Sequence, residues 1–426
     1  MTDTPFIATP LPGSERFRLL SHAGLLLLLL SLAAPWAGLV SIPVAFFLKN
    51  RLHLSANETA QFNLWVSIPL YLSFGLGLVR DRWNPFGAGD RGHLVLFGLA
   101  TALVFAVIAA LQPTYAVLMG GLLVATSTVL VAMSAATGIF SAIGQKYLMP
   151  GQASAVMLIA SWVPLMLGSV LGGVLSQALE MMNGANAARA LFVVGIALLC
   201  IAALLAATGP RALFNTHAEA RAQSLRGDIG RMLRHWPVYP VTLLLLIWNF
   251  QPAFGTAVIY FLSNHLHASD AEVGAFFGVF WGAQMLAVLL YGRLCQSVRL
   301  SRLLWVGTII GAPAILAMLL ATTPTTAIVA AGFYGLMTGI GTGAFTDLAV
   351  RSSPRGLEGT MMMLILNTTF YVSGRFGDLW GTYVYDRAGG FPMTVIVSVV
   401  AYLLLPLVLL IVPRRLTSTS DGEAPA

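Results

Sequence analysis

Twelve long apolar segments constrain this chain more than any other feature of its sequence. Each segment is long enough to cross the hydrocarbon core of a bilayer, which takes about 20 residues of helix. A chain that crosses a bilayer this often is an all-α integral membrane protein, and most proteins of this kind move something across the membrane. We name the segments spans 1 to 12, and the sequence places them at residues 20–48, 59–79, 93–112, 114–142, 153–179, 188–208, 239–264, 271–292, 302–322, 325–350, 359–385 and 391–413.

The composition excludes other classes of protein. The chain has 426 residues, of which 58% are hydrophobic and 9% are charged. A soluble protein carries about 25% charged residues, so neither a soluble nor a disordered chain fits. The two cysteines, Cys200 and Cys295, lie far apart in sequence and indicate neither a metal site nor a disulfide framework. We predict no cofactor.

Two short proline turns indicate an internal repeat. Gln112-Pro113-Thr114 separates spans 3 and 4, and Thr323-Pro324-Thr325 separates spans 9 and 10. Because these turns occupy equivalent positions, the chain is expected to form two repeated six-helix halves. The expected boundaries are an N-terminal tail at 1–19, a first bundle at 20–208, a linker at 209–238, a second bundle at 239–413 and a C-terminal tail at 414–426.

The linker between the halves carries a helix signal of its own. Residues 216–219 (THAE) have the pattern of a capping box. Leu225, Ile229, Leu233 and Trp236 follow at helical spacing, with arginines between them. This pattern predicts either a helix lying on the membrane surface or a solvated linker helix.

The distribution of basic residues predicts the orientation. Of the 23 lysines and arginines, 18 fall in the tails and loops of one side, 4 fall on the other, and Arg375 lies inside a span. Basic loops stay in the cytoplasm, so both termini and the linker are expected there, in a cell inner membrane. This bias also accounts for the net charge of +7 without a nucleic-acid partner. The polar stretch 1–18 is interpreted as a cytoplasmic tail, not a signal peptide.

The loop after span 2 carries the most specific motif. Residues 77–82 (GLVRDR), followed by Asp90 and Arg91, together with twelve spans in two halves, resemble the major facilitator superfamily. The resemblance implies that Gly77, Asp81, Arg82 and Arg91 lock helix ends at the cytoplasmic face when the transporter is open outward. An aspartate at a helix N-terminus is favoured by the helix dipole and can hold an arginine. An ordinary charged loop is the alternative, and the matching loop at 292–299 (GRLCQSVR) lacks the aspartate.

Several patches resemble one branch of that superfamily, the folate–biopterin transporters. They are residues 46–55 (FFLKNRLHLS), 80–93, 261–266 (FLSNHL) and 354–360 (PRGLEGT). This resemblance implies a pterin- or folate-like anionic substrate. Span 4 departs from the family pattern, because residues 130–138 (LVAMSAATG) contain none of its acidic residues.

Charged residues within the spans are candidates for function, because a charge in the bilayer is costly unless it is paired or hydrated. Arg375 and Asp378 lie one turn apart in span 11 and can form a pair. Either this pair is structural, or Arg375 binds an anionic group of the substrate while Asp378 exchanges its partner or a proton. Asp347 lies near the end of span 10 and is interpreted as a gate residue.

Neutral polar and aromatic residues supply the remaining candidates for substrate binding. They are Trp36 in span 1, Asn249 and Gln251 in span 7, and Tyr334 in span 10. Pro252 is expected to break span 7 near the bilayer centre, and interrupted helices mark binding sites in transporters. A simple proline kink, with both amides bonded to neighbouring helices, is the alternative.

These observations favour a monomeric secondary active transporter that moves a small solute by alternating access, with proton coupling as the default. No phosphate-binding loop for ATP is present in the sequence. Export of a hydrophobic or muropeptide-like compound and a non-transporting assembly factor remain alternatives. An intramembrane enzyme is disfavoured, because the histidines all lie in loops or at span ends, namely His22, His53, His93, His217, His235, His265 and His267.

Overall fold

Long helices build the molecule. The computed structural model describes residues 11–423 apart from 37, 55, 183, 215–224 and 355. Within that part of the chain, nine helices are long and apolar enough to cross a membrane, and they correspond to spans 1, 3, 4, 5, 6, 8, 9, 10 and 12. Their principal helices are Gly13–Ala33, Asp90–Ala110, Tyr115–Lys146, Pro150–Glu180, Gly184–Thr208, Asp270–Leu294, Leu300–Leu316, Pro324–Ser352 and Gly390–Tyr402.

The other three spans are interrupted helices. Span 2 consists of the helices Ala56–Val66, Ile68–Tyr71 and Ser73–Arg82. Span 7 consists of the helices Val238–Asn249 and Thr256–Tyr260, followed by a π-helix at Phe261–His265. Span 11 begins with the helix Glu358–Met362 and continues as a π-helix at Met363–Thr368 and the helix Thr369–Arg387. Three further spans are extended by shorter helices: span 1 by Gly38–Asn50, span 9 by the 3₁₀-helix Ala317–Leu320 and span 12 by Leu405–Ile411. The fold is therefore the predicted all-α arrangement of twelve membrane-crossing helices.

The spans pack as two equivalent sets of six. In the first half, span 3 packs against spans 4 and 6, and span 1 packs against span 5. In the second half, span 9 packs against spans 10 and 12, and span 7 packs against span 11. The contacts in the second half thus match those in the first half, with each span number raised by six. This match confirms the predicted repeat.

The two halves meet along a narrower set of helices. Span 5 packs on spans 8 and 10, span 2 packs on span 11, and span 4 packs on spans 10 and 11. The first and last parts of the described chain lie at one end of this bundle, where Gln152 accepts a hydrogen bond from Arg16 (3.4 Å) and donates its backbone N–H to Asp421 (2.9 Å). We call this end the terminal face and the other end the opposite face.

Only part of the linker is described. A helix forms at Leu225–Arg234. The side chains of Leu233, within this helix, and of Trp236, just after it, are exposed. The capping sequence predicted at 216–219 lies outside the described residues. Short helices also form at Pro85–Gly87, Arg211–Phe214 and Arg414–Thr417.

Glycines in span 10 set its close contact with span 8. A Cβ atom on Gly339 would lie 2.5 Å from the Cβ atom of Ala287 and 2.6 Å from the carbonyl oxygen of Gln284. Gly343 is equally restricted, because its Cβ would lie 2.5 Å from Cγ of Tyr291. Small residues every four positions let membrane helices approach this closely.

We therefore expect Gly339→Ala to lower the free energy of unfolding by about 1–3 kcal/mol, the usual cost of overpacking. Gly282→Ala in span 8 is the matched control, because no atom lies within 4 Å of the position of its Cβ. The measurement is the thermal unfolding midpoint in detergent. Equal midpoints for the two variants would contradict the packing described here.

Candidate functional site

A cavity of about 450 Å³ lies between the two halves. Spans 1, 4 and 5 line it from the first half, and spans 7, 8, 10 and 11 line it from the second. Its residues near the terminal face, Thr346 and Met362, are buried. Leu165 and Arg375, further along their helices, are exposed. The lining residues are thus buried towards the terminal face and more exposed towards the opposite face.

Span 7 breaks where it borders the cavity, as the sequence predicts. Its first helix ends at Asn249, and the next begins after Gly255, which has a φ of 86°. Asn249 and Gln251 both line the cavity. The Asn249 amide donates to Oγ1 of Thr369 (3.4 Å), and the Gln251 amide donates to the Trp248 carbonyl (3.2 Å). Both amides retain an oxygen that can accept a hydrogen bond from a solute.

Asp378 stabilises the far side of this break. Its carboxylate accepts hydrogen bonds from the backbone N–H of Thr256 (2.8 Å) and from the Thr256 hydroxyl (3.1 Å). These bonds satisfy groups that the broken helix leaves without an intrahelical partner. Asp378 also lines the cavity, so a charged group there has direct access to it.

Arg375 lines the cavity one turn before Asp378. Within the described part of the chain, the structure shows no ion pair between these two residues. The side chain of Arg375 is exposed and makes no hydrogen bond to another described residue. The pair expected from sequence spacing is therefore replaced by an Asp378–Thr256 contact, which leaves the guanidinium directed at solvent or solute.

Aromatic rings form much of the wall. Trp36 lines the cavity from span 1, and its role in binding stays a prediction. Trp162 of span 5 and Trp281 of span 8 face each other across the halves, with ring centroids 5.7 Å apart. Phe254 lies beside Trp281 and contributes a third ring from the interruption in span 7. Flat aromatic surfaces on both halves suit a planar solute.

Tyr334 is a different case, because it does not line the cavity. It is 1% exposed, its hydroxyl lies 3.0 Å from that of Tyr402, and its ring stacks behind Phe280. Tyr334 therefore supports the wall and does not touch its surface. The residues of span 10 that do reach the cavity are Thr342 and Thr346. Their four-residue spacing places both threonines on one face of the helix, and this spacing is visible in the sequence.

A first gate seals the terminal face between span 2 and span 11. Asp81 accepts hydrogen bonds from the backbone N–H groups of Gly359 (3.1 Å) and Thr360 (2.7 Å) and from the Thr360 hydroxyl (2.6 Å). It thus caps the start of span 11 from the other half. Gly77 permits the approach, because a Cβ there would lie 2.6 Å from Cα of Thr360.

The arginine of this gate is Arg80. It donates two hydrogen bonds to Asp90 (2.6 and 2.7 Å) and one to Asp81 (2.6 Å), and the cluster is buried. Arg82, expected in this role, is exposed. Arg91 instead donates to the Gly209 carbonyl (2.7 Å) and lies over the ring of Phe214, both at the start of the linker.

Helical spacing explains the difference between the two arginines. Arg80 and Asp81 follow Gly77 by three and four residues, which places them on the face that meets span 11. Arg82 follows by five residues and points away from that face.

A second gate joins span 4 to span 10. Asp347 is fully buried and accepts hydrogen bonds from the Tyr291 hydroxyl (2.7 Å) and from Nε of Arg351 (2.7 Å). The Gln145 amide of span 4 donates to the carbonyls of Val350 (2.7 Å) and Ser353 (3.0 Å) in the other half. Asp347 therefore lies within the sealed region at the terminal face, and outside the cavity.

Comparison with known proteins adds the fold relationship. No protein-family model and no curated protein sequence matches the chain. Solved structures do match. FucP, a major facilitator superfamily transporter captured in the outward conformation, is similar with a TM-score of 0.69, 13% sequence identity and coverage of 92% of this chain and 98% of that chain. A variant of the E. coli fucose:proton symporter FucP gives a TM-score of 0.66 at 13% identity, covering 92% and 98%.

A human protein shares the same architecture. The organic anion transporter MFSD10 (TETRAN) matches with a TM-score of 0.63 and 16% identity, over 94% of this chain and all of that chain (100%). At these identities the likeness establishes the fold. The chain therefore has the twelve-helix architecture of the major facilitator transporters.

The gate geometry makes a direct prediction about two neighbouring arginines. We expect Arg80→Gln to cost about 3–5 kcal/mol of stability, because it leaves buried carboxylates without their charge partner. Arg82→Gln is expected to cost about 1 kcal/mol or less, because Arg82 is exposed and exposed charge interactions contribute little. Chemical or thermal unfolding in detergent separates the two. A larger loss for Arg82→Gln would show that the gate uses the arginine first predicted from the motif.

Proposed function

We propose that this protein is a secondary active transporter that moves a small organic anion by alternating access. One observation carries the proposal: a cavity lies between two repeated halves, and bonds between the halves join them at the terminal face, where the lining residues are buried. Alternating access requires such a site with one face closed at a time. Exchange of the gate bonds for equivalent contacts at the opposite face would complete the cycle.

The chemistry of the cavity favours an aromatic solute with a negative group. Arg375 and Asp378 are the charged side chains among the described lining residues. A guanidinium binds a carboxylate through two parallel hydrogen bonds, and the tryptophans offer faces for stacking. A pterin- or folate-like anion has both features. The name of MFSD10, an organic anion transporter of the same fold, agrees with this substrate class.

Proton coupling is the proposed energy source, and Asp378 is its candidate carrier. The carboxylate borders the cavity and holds the broken end of span 7 through Thr256. Protonation of Asp378 would weaken its bonds to that helix and so connect proton binding to movement of span 7. FucP, named as a fucose:proton symporter, shows that this fold accommodates such coupling.

The proposed setting is a cell inner membrane with the terminal face in the cytoplasm. This orientation follows from the excess of basic residues at that face. The structure then represents a state open to the outside, and the protein acts as a monomer. Export of a hydrophobic compound is the second candidate, because apolar residues such as Met157 and Leu158 make up much of the lining.

Arg375→Gln tests the anion site. We expect it to weaken binding of pterin-6-carboxylate about 10- to 100-fold, the equivalent of losing a charged hydrogen-bond pair. Binding of 6-hydroxymethylpterin, which has no carboxylate, should change little. Quenching of tryptophan fluorescence gives both affinities, and proteoliposome uptake gives transport.

Arg387→Gln is the matched control, because Arg387 lies in the same span over the ring of Tyr383 and outside the cavity. Equal affinity of the wild type and Arg375→Gln for the carboxylate would contradict the anion site. Binding of hydrophobic compounds alone, insensitive to Arg375, would favour the export candidate.

A further inference from the structure

The C-terminal segment crosses the terminal face and contacts both halves. After span 12 and the short helix Arg414–Thr417, residues 418–423 form a strap. Two backbone hydrogen bonds join the strap to the second half. The Leu300 N–H donates to the Thr419 carbonyl (3.3 Å), and the Asp421 N–H donates to the Cys295 carbonyl (2.9 Å). In the first half, the Gly422 N–H donates to the carbonyl of Leu148 (2.6 Å).

Asp421 is the centre of the strap. Its two carboxylate oxygens accept hydrogen bonds from the backbone N–H groups of Gly151 and Gln152, each at 2.9 Å. These residues begin span 5, a helix of 31 residues. The side chain of Asp421 is fully buried and also lies 3.4 Å from the guanidinium of Arg351 in the second half. One carboxylate therefore joins the start of span 5 to span 10.

This arrangement repeats the geometry of the first gate. Asp81 caps the start of span 11 through two backbone N–H groups, and Asp421 caps the start of span 5 in the same way. Spans 5 and 11 are equivalent in the two halves. In both places a glycine allows the adjacent loop to approach the helix. A Cβ on Gly359 would lie 2.7 Å from Arg80, and a Cβ on Gly151 would lie 2.6 Å from Cys295.

The repeat also shows what the second copy of the loop lacks. The loop after span 2 supplies its own aspartate, whereas the loop after span 8, residues 292–299, contains none. Cys295 lies in that loop, with its sulfur 3.6 Å from the Asp421 carboxylate. The position left without a carboxylate by the loop is thus filled from the C-terminal segment.

We propose that the strap is a latch on the terminal face: Asp421 replaces the aspartate absent from the loop after span 8, and the strap must leave the start of span 5 before that face opens. The latch is a property of the closed state and needs no substrate to be measured. Its consequence for transport rests on the proposed function, so the tests of the two are separate.

The surroundings of Asp421 make the latch sensitive to pH. Burial and the charge of Asp347 raise the pKa of Asp421 from 3.8 to about 7, against the opposing effects of the Gly151 and Gln152 N–H groups and of Arg351. The Cys295 thiol and the Tyr291 phenol are further titratable groups that interact with it. Because the seated carboxyl binds a proton more readily than a carboxyl in water, the seated state is favoured at low pH. It is weakened as the pH rises through about 7.

The buried thiol of Cys295 provides a native reporter. It is 1% exposed beneath Asp421, and replacing the exposed Cys200 with alanine removes the other thiol. In the full-length protein with Cys200→Ala, we expect Asp421→Ala to speed alkylation of Cys295 by N-ethylmaleimide about tenfold or more, as for the loss of hydrogen bonds to a charged group.

Glu423→Gln is the control. Glu423 is exposed, it accepts a hydrogen bond from the Ser420 N–H within the strap (2.9 Å), and its replacement keeps an acceptor oxygen. It should leave the alkylation rate unchanged. A second reporter tests opening of the face itself: Ser141→Cys, placed at the buried contact of spans 4 and 10, should also react faster when Asp421→Ala is added. For this reporter both native cysteines are replaced by alanine.

Asp421→Asn tests the protonation step, since an amide resembles the uncharged acid. The alkylation rates with Asp421 and with Asp421→Asn are compared at the Ser141→Cys reporter, which lies at the contact of spans 4 and 10, so that the thiol's own pH dependence cancels in their ratio. We expect this ratio to rise from about pH 6 to about pH 8. The latch is overturned if Asp421→Ala leaves both reporters protected, if Glu423→Gln releases them equally, or if the ratio is flat or falls. Failure of solute uptake alone would instead count against the proposed transport function.

Discussion

Carboxylates that cap helix starts across the two halves hold this structure in one state. The first N–H groups of a helix have no intrahelical partner, and the helix dipole adds a partial positive charge there. Asp81 satisfies these groups at span 11, and Asp421 satisfies them at span 5. Both contacts are buried, where hydrogen bonds are stronger and unpaired groups are costly. We propose that these contacts keep the terminal face closed.

The broken spans and the cavity follow from the same arrangement. With the terminal face sealed, the halves separate towards the opposite face, and the interruption of span 7 borders the resulting space. Asp378 stabilises the broken helix through Thr256, which releases Arg375 from the pair expected from their spacing. Within the described part of the chain, the site therefore combines an uncommitted cation with tryptophans from both halves. That combination supports an aromatic anion as the solute.

The sequence predicted those features that follow from local periodicity. Span length and the proline turns predicted twelve helices in two halves. The motif after span 2 indicated Gly77 and Asp81, which lie at the contact with span 11, and their role in gating stays a prediction. Features that depend on which face a helix presents were less accessible. The motif indicates Arg82, whereas Arg80 makes the buried contacts, because the motif does not specify which helix face meets span 11. Tyr334 faces away from the cavity, although other residues of its helix line it. Asp421 could not be placed at all, because its contact with span 5 joins residues 270 positions apart.

The most direct test of the account is a pair of spin-label distances in the absence of solute. With both native cysteines replaced by alanine, labels at Asn84 and Gln296 report the terminal face, and labels at Gln112 and Thr322 report the opposite face. All four positions are exposed. If the capping carboxylates hold the closed state, combining Asp81→Asn with Asp421→Ala should lengthen the first distance and shorten the second. If both distances stayed the same, or if both lengthened or both shortened, alternation controlled by these contacts would be contradicted.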